Sequence, residues 1–212
     1  MVRLDIFSDP ICPWCYIGKA FLDRALESRP DHPFAVEWHP FQLNPEMPRE
    51  GMDRREYLER IFGSKTKAVE AHVQLAKMAG EAGVEMDFAR IERVPNTLDA
   101  HRLIHWAGLE GRQGAVVAAL FRGYFREGLD IGDAQVLTEI AAQAGMDRGL
   151  TARLLATDND RDDLAARDAD ARSKGVTAVP TFLVDRQYVL SGAQSVSLWQ
   201  QVIDEIAAAS RS

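Results

Sequence analysis

The chain has 212 residues, of which 46% are hydrophobic, and this is enough for one large domain or for one domain that carries an insertion. Its 32 acidic and 25 basic residues leave a net charge of −7, which argues against a general nucleic-acid-binding face. No apolar run approaches the ~20 residues of a membrane span, and the first residues lack the long apolar segment of a signal peptide. We therefore expect a cytoplasmic protein that binds neither nucleic acid nor a membrane.

The first predicted elements are a strand, a helix and a second strand. Apolar and polar side chains alternate over residues 2–8, which is typical of a strand. The helix that follows ends before Pro30 and has Pro13 in its first turn, where the missing N–H costs nothing. The second strand covers 34–38 and stops at His39-Pro40, because proline cannot donate to a sheet.

Helical patterns dominate the next hundred residues. Asp53 and Glu56 resemble a capping box at the start of the first of these helices. Further helices are predicted at roughly 65–80, 97–108, 112–126, 133–144 and 147–156, followed by a polar helix at about 159–174. Strands at 181–184 and 188–190 form a hairpin, and Ser195 can cap a final helix.

This order of elements predicts an α/β fold in which a sheet is interrupted by an all-helical subdomain. A βαβ unit comes first and an αββα unit comes last, with the helical block between them. We expect one domain to be formed by residues 1–45 and 157–212, and the inserted helical subdomain to be formed by residues 46–156.

The two cysteines of the chain, Cys12 and Cys15, stand at the start of the first helix with two residues between them. A chain of this length buries a core without a disulfide, and in a reducing compartment such a pair is more often catalytic, redox-sensing or metal-binding than structural. The interpretation we favour is thiol–disulfide exchange. Free N–H groups and the helix dipole stabilise a thiolate at Cys12, and Cys15 lies one turn further as the resolving thiol.

Two other interpretations of the cysteine pair stay open from the residues alone. A zinc site needs two more ligands, which His101 and His105 would supply from one face of a helix, but packed or solvated histidines are commoner and we predict no metal. The pair can also be coincidental and inert. Asp9, three residues before Cys12, either relays a proton or simply forms the turn before Pro10.

Five stretches of the chain resemble the DsbA family of the thioredoxin superfamily, most closely a cytoplasmic branch named for a protein of frenolicin biosynthesis. They are SDPICPWCYIGK at 8–19, WHPFQLNP at 38–45, PNTLDAHRL at 95–103, VPT at 179–181 and SGAQ at 191–194. The resemblance implies a thioredoxin fold with a helical insertion between its βαβ and ββα halves. It also implies a dithiol–disulfide oxidoreductase in which Cys12 is the nucleophile, Cys15 resolves and Pro180 is a cis-proline.

The resemblance extends to the substrate, which would be a disulfide in a protein or a small molecule, with no tightly bound cofactor. Val179 would present its backbone to substrate beside Pro180, and Trp14 would be an exposed contact surface. His39 either lies near the cysteines or is a solvated loop residue, and Asn96 either binds substrate or caps a helix. Trp14 stands where the periplasmic enzyme has histidine, so we expect a less oxidising pair.

A sister branch supplies the alternative function. Kappa-class glutathione transferases and 2-hydroxychromene-2-carboxylate isomerases share the inserted topology and an Asn-Thr stretch resembling Asn96-Thr97. They usually carry serine where Cys12 stands. The alternative is therefore a glutathione-dependent isomerase or transferase acting on an aromatic or polyketide-like metabolite. Glutathione is a candidate co-substrate in either case, and the protein is expected to be a monomer or a homodimer.

Overall fold

The computed structural model describes the backbone of residues 1–62 and 65–209, and the side chains of these residues outside 62–72. The first three elements are a strand, a helix and a strand: β1 (Val2–Ser8), α1 (Pro13–Glu27) and β2 (Phe34–Pro40). The middle of the chain follows with β3 (Met52–Asp53), α2 (Arg54–Phe62), α3 (Lys65–Ala82), β4 (Arg93–Val94), α4 (Leu98–Leu109), α5 (Gln113–Arg122), a π-helical turn (Gly123–Glu127), α6 (Ala134–Gln143) and α7 (Arg148–Leu155). The last elements are α8 (Arg161–Ser173), β5 (Thr181–Val184), β6 (Tyr188–Ser191) and α9 (Val196–Ala209).

The main sheet has four strands in the order β2-β1-β5-β6. β1 is parallel to β2, with Ile6 opposite Trp38, and antiparallel to β5, with Ile6 opposite Phe182. β1 is therefore central, and its side chains at Leu4 and Ile6 are fully buried. The predicted thioredoxin fold, with its βαβ and ββα halves separated by a helical insertion, is confirmed.

The helices α1 and α9 lie together against one side of this sheet. Trp199 of α9 is fully buried and packs edge-on against Phe182 of β5, with ring centroids 4.8 Å apart, and against Phe34 of β2. Burial of ~200 Å² of indole surface is worth about 5 kcal/mol, so this contact holds α9 in place.

The helix α8 fixes the loop that follows β2, where part of the site is formed. Asp168 of α8 accepts a hydrogen bond from the backbone N–H of Gln42 at 2.9 Å. Arg172, one turn further, donates to the carbonyl of Gln42 and lies over the ring of Phe41 at 4.0 Å. Because both backbone groups of Gln42 are held, the loop has a defined position next to the first turn of α1.

Two local features of the insertion differ from the prediction. β3 and β4 pair as a two-stranded antiparallel ribbon, so the insertion is not all-helical. The helix predicted at 112–126 is α-helical only as far as Arg122 and continues as the π-helical turn. This turn ends at Gly128, which has the left-handed backbone conformation with φ +71°. Glycine adopts that conformation without strain.

The division of the chain at residues 45 and 157 stays a prediction. One continuous hydrophobic core contains Leu4 and Phe182 of the sheet together with Phe121 and Leu137 of the insertion. In the part of the chain that the structure describes, no helix combines the length and apolar character needed to cross a bilayer.

Candidate active site

The two cysteines lie in the first turn of α1, directly after the central strand. Cys12 is the N-cap residue with extended backbone (φ −86°, ψ 113°), and its side chain makes no capping hydrogen bond. Pro13 begins the helix, and the first turn carries no acidic side chain. The positive end of the helix dipole therefore faces the sulfur of Cys12 without a neutralising carboxylate from this turn.

The cysteines are close enough to react with each other and are nearly covered. Cys12 and Cys15 are free thiols 3.4 Å apart, and their side chains are 3% and 1% exposed. The Cys12 Sγ lies 3.6 Å from the carbonyl oxygen of Val179 and can donate its thiol proton to it. The Val179–Pro180 peptide bond is cis, which confirms the prediction from sequence.

Gly18 allows α1 to approach the proline this closely. A Cβ atom at position 18 would lie 3.1 Å from Cγ of Pro180 and 3.5 Å from the ring of Phe182. The absence of a side chain therefore lets the cysteine-bearing helix pack directly on the cis-proline loop.

The electrostatic surroundings distinguish the two thiols. Burial raises the pKa of Cys15 well above the ordinary thiol value, and its hydrogen bond to the Cys12 sulfur raises it further. Hydrogen bonds from the Ser8 side chain and the Asp9 backbone act in the opposite direction without overcoming burial. Cys15 is consequently a protonated thiol at neutral pH that donates toward Cys12.

A family model described as the DSBA-like thioredoxin domain matches residues 3–204. The chain belongs to this family. A probable DsbA oxidoreductase from Streptomyces coelicolor is 31% identical, with a TM-score of 0.85 over 97% of this chain and 89% of that one. These matches agree with the cysteine pair and the cis-proline that the fold brings together.

Two more distant structures share the DSBA-like fold. The cytosolic disulfide reductase DsbM from Pseudomonas aeruginosa, determined with GSH, is 21% identical with a TM-score of 0.70 over 97% of this chain and 98% of that one. A 2-hydroxychromene-2-carboxylate isomerase is 16% identical with a TM-score of 0.76 over 99% and 98% of the two chains. The resemblance to the isomerase branch is thus confirmed at the level of fold.

Behind the cysteines of this DSBA-like domain lies a buried acid–base pair that the sequence does not show. Asp9 is fully buried, and its Oδ2 accepts a hydrogen bond of 2.6 Å from the N–H of Leu43. Burial raises the pKa of Asp9 to about 7. His101 Nε2 lies 3.8 Å from Asp9 Oδ1 and has no hydrogen-bond partner in the described part of the chain. Burial lowers the pKa of His101 to about 4, so this imidazole is neutral at physiological pH.

The histidines of the zinc interpretation do not meet the cysteines. His101 faces Asp9, and His105 lines a separate cavity beside Arg3 and Glu37. Among the described residues, the group with metal-like spacing is Asp5, Glu37 and His39, and the Arg3 guanidinium already contacts both carboxylates at 2.6 and 3.0 Å.

Two predicted substrate-binding residues are engaged with the protein itself. His39 Nε2 lies 2.6 Å from Asp5 Oδ1, and its ring packs on Phe7 of the same sheet. Asn96 donates to the carbonyl of Met47 at 2.7 Å and accepts from the N–H of Leu98 at 2.9 Å, so it joins a loop to the start of α4. Their roles in substrate binding stay predictions.

Trp14 is half-buried rather than exposed, because it packs against a cluster of buried side chains from α1 and α3. Together with Ile11 and Pro13 it forms one wall of a cavity of about 790 Å³. The opposite wall comes from the insertion and includes Tyr57 and Phe88. The cavity is not visible in the sequence, since its walls come from segments far apart in the chain and share no periodic pattern.

Proposed function

We propose that the protein is a thiol–disulfide oxidoreductase in which Cys12 attacks a disulfide and Cys15 resolves the mixed disulfide. The observation that carries this proposal is the pair of free thiols 3.4 Å apart at the start of α1, packed against the cis-proline loop. Membership in the DSBA-like family supports it, and so does the 31% identity to the protein from Streptomyces coelicolor, which is named a probable DsbA oxidoreductase.

The two thiols divide the work according to their surroundings. Cys12, at the uncompensated end of the helix dipole, forms the mixed disulfide with one half of the substrate and releases the other half as a thiolate. Cys15 keeps its proton until that point because burial raises its pKa. Loss of the proton then lets its thiolate attack the Cys12 sulfur, which closes the disulfide and releases the second half of the substrate.

Turnover of the two serine variants tests this proposal. Cys12→Ser is expected to reduce no disulfide, because the attacking sulfur is gone. Cys15→Ser is expected to stop after the first step and accumulate a mixed disulfide at Cys12, visible by intact mass and peptide mapping. Circular dichroism of both variants confirms that they are folded. Undiminished turnover by Cys12→Ser would overturn the proposal.

The direction and co-substrate belong to the same proposal: a cytoplasmic reductase that uses glutathione as a co-substrate and no tightly bound cofactor. Trp14 has no charge with which to stabilise a thiolate, unlike the histidine of the strong oxidant, and this favours reduction. The similar fold of a reductase determined with GSH supports the co-substrate. Incubation of the oxidised protein with glutathione should give a glutathione adduct on Cys12 followed by the free dithiol.

The apolar cavity beside Cys12 favours the second candidate, a glutathione-dependent isomerase or transferase for an aromatic metabolite. That chemistry needs no resolving thiol. Full activity of Cys15→Ser on such a substrate, with glutathione present, would favour it over disulfide exchange.

A further inference from the structure

The cavity next to the cysteine pair has the size and lining of a small-molecule site. Its volume of about 790 Å³ falls in the range of drug-sized ligand pockets. Aromatic side chains, including Phe88, Tyr124 and Phe125, supply much of its surface. Such walls accept a flat, apolar group by stacking and burial.

One cation stands in this apolar surface. Arg54, the first residue of α2, is half-buried, and its guanidinium carbon lies 5.6 Å from the ring centroid of Phe88. Within the described side chains, no carboxylate lies within ion-pair distance of this guanidinium, and the other described lining residues are uncharged. A partly desolvated guanidinium next to apolar walls favours a carboxylate ligand, which it binds through paired hydrogen bonds.

Access to Cys12 limits the substrate further. The side chain of Cys12 is 3% exposed, while its neighbours Ile11, Pro13 and Trp14 line the cavity. The Cys12 sulfur does not itself line the cavity, but the residues on either side of it do. A small disulfide held in the cavity therefore lies next to the residues that cover the sulfur.

From these three observations we infer that the substrate is a small aromatic disulfide with a carboxylate, held by the cavity and by Arg54. The inference rests on the proposed function. The Cys12 thiolate attacks one sulfur, the substrate S–S bond breaks, and the first arylthiolate leaves. Cys15 gives up its proton and attacks Cys12, and the second arylthiolate leaves. The substrate gains two electrons and the Cys12–Cys15 disulfide forms. Two glutathione molecules then reduce this disulfide, the first as an adduct on Cys12, and leave as glutathione disulfide.

Single-turnover kinetics with dithiobis(nitrobenzoate) test the inference. This probe is an aromatic disulfide with a carboxylate on each ring, and its released thiolate is followed by absorbance. With pre-reduced protein, the rate should saturate with probe concentration. Because one charge-assisted pair contributes roughly 1.5–3 kcal/mol, Arg54→Gln should raise the half-saturating concentration by about tenfold or more and leave the limiting rate unchanged. The neutral dithiodipyridine should show no such change.

Arg55→Gln is the matched control, because Arg55 is the neighbouring residue, is exposed, and pairs with Glu59 instead of lining the cavity. It should behave as the unmodified protein. If Arg54→Gln and the unmodified protein have the same half-saturating concentration of the probe, the inference is overturned. The inference would also be overturned if the ratio of limiting rate to half-saturating concentration is higher for oxidised glutathione or insulin than for the aromatic probe.

Failure of the inference can be told apart from failure of the proposed function. If Cys12→Ser releases thiolate as fast as the unmodified protein, the redox role of Cys12 fails. If the reaction depends on Cys12 but neither saturates nor responds to Arg54→Gln, the cavity assignment fails alone. Calorimetry with Cys12→Ser measures binding of the probe without reaction at Cys12. The probe should bind to this variant. Adding Arg54→Gln to it should weaken binding by about the same factor as the change in half-saturating concentration.

Discussion

Asp9 and His101 should affect the pH dependence of stability in opposite directions, so that their effects cancel in the unmodified protein. Substitution of either residue should therefore expose the pH dependence that comes from the other. Burial raises the pKa of Asp9 from 3.8 to about 7, so between these values the folded state holds a proton that the unfolded chain has lost. Asp9 therefore makes the protein less stable as pH rises through this window. One pKa unit corresponds to about 1.4 kcal/mol, which gives a total loss of about 4 kcal/mol.

His101 has the opposite effect. Burial lowers its pKa from 6.5 to about 4, so between these values the unfolded chain holds a proton that the folded state lacks. Stability is lost as pH falls through this window, by about 3 kcal/mol in total. From pH 4 to 6.5 the contributions of Asp9 and His101 have opposite slopes of similar size, so the two contributions largely cancel.

Urea denaturation at several pH values between 4 and 6.5 tests this cancellation. Relative to the unmodified protein, the free energy of unfolding of Asp9→Asn should rise with pH by about 1.4 kcal/mol per unit, because only His101 then titrates. For His101→Asn it should fall by the same amount per unit. The double variant should again parallel the unmodified protein. Parallel curves for both single variants would refute the assignment of a neutral, buried acid–base pair.

Two further predictions concern stability, measured by urea denaturation. Arg102→Leu should cost about 3–5 kcal/mol, because the fully buried guanidinium binds Asp99 at 2.7 Å together with three backbone carbonyls; a loss below about 1 kcal/mol would contradict this. Gly128→Ala should destabilise more than Gly83→Ala, since both have φ +71° but only at 128 does a Cβ collide with Arg90. If both variants lose the same free energy of unfolding, the collision with Arg90 does not destabilise the protein and the prediction is contradicted.

Local patterns predicted the parts of the fold on which the chemistry depends. Three of these patterns each lie within a few residues, and the structure confirms what each predicted. Alternation at 2–8 predicted β1, Pro13 predicted the start of α1, and the Val179–Pro180 pair predicted the cis peptide bond. The β3–β4 ribbon could not be predicted, because its two-residue strands pair Met52 with Val94 across the chain and have no pattern of their own.

The part of the site that could be predicted is the part whose residues are close together in the sequence. The Cys12–Cys15 spacing identifies the pair. The contact between Asp9 and His101, in contrast, joins residues separated by all of α1 and β2 and by the first half of the insertion. Arg54 follows a helix cap and looks like a surface residue in the sequence. In the structure it lies over the ring of Phe88 and lines the cavity, and this contact between distant parts of the chain is visible in no local pattern.

The central claim is that Cys12 and Cys15 cycle between a dithiol and a disulfide, and the reduction potential of the pair tests it most directly. The protein is equilibrated in glutathione or dithiothreitol buffers, trapped with an alkylating agent and analysed by intact mass. We expect one two-electron transition at a potential more negative than the about −120 mV of the strong periplasmic oxidant. If the two thiols are alkylated in every buffer, or are oxidised only as separate adducts, the claim is contradicted.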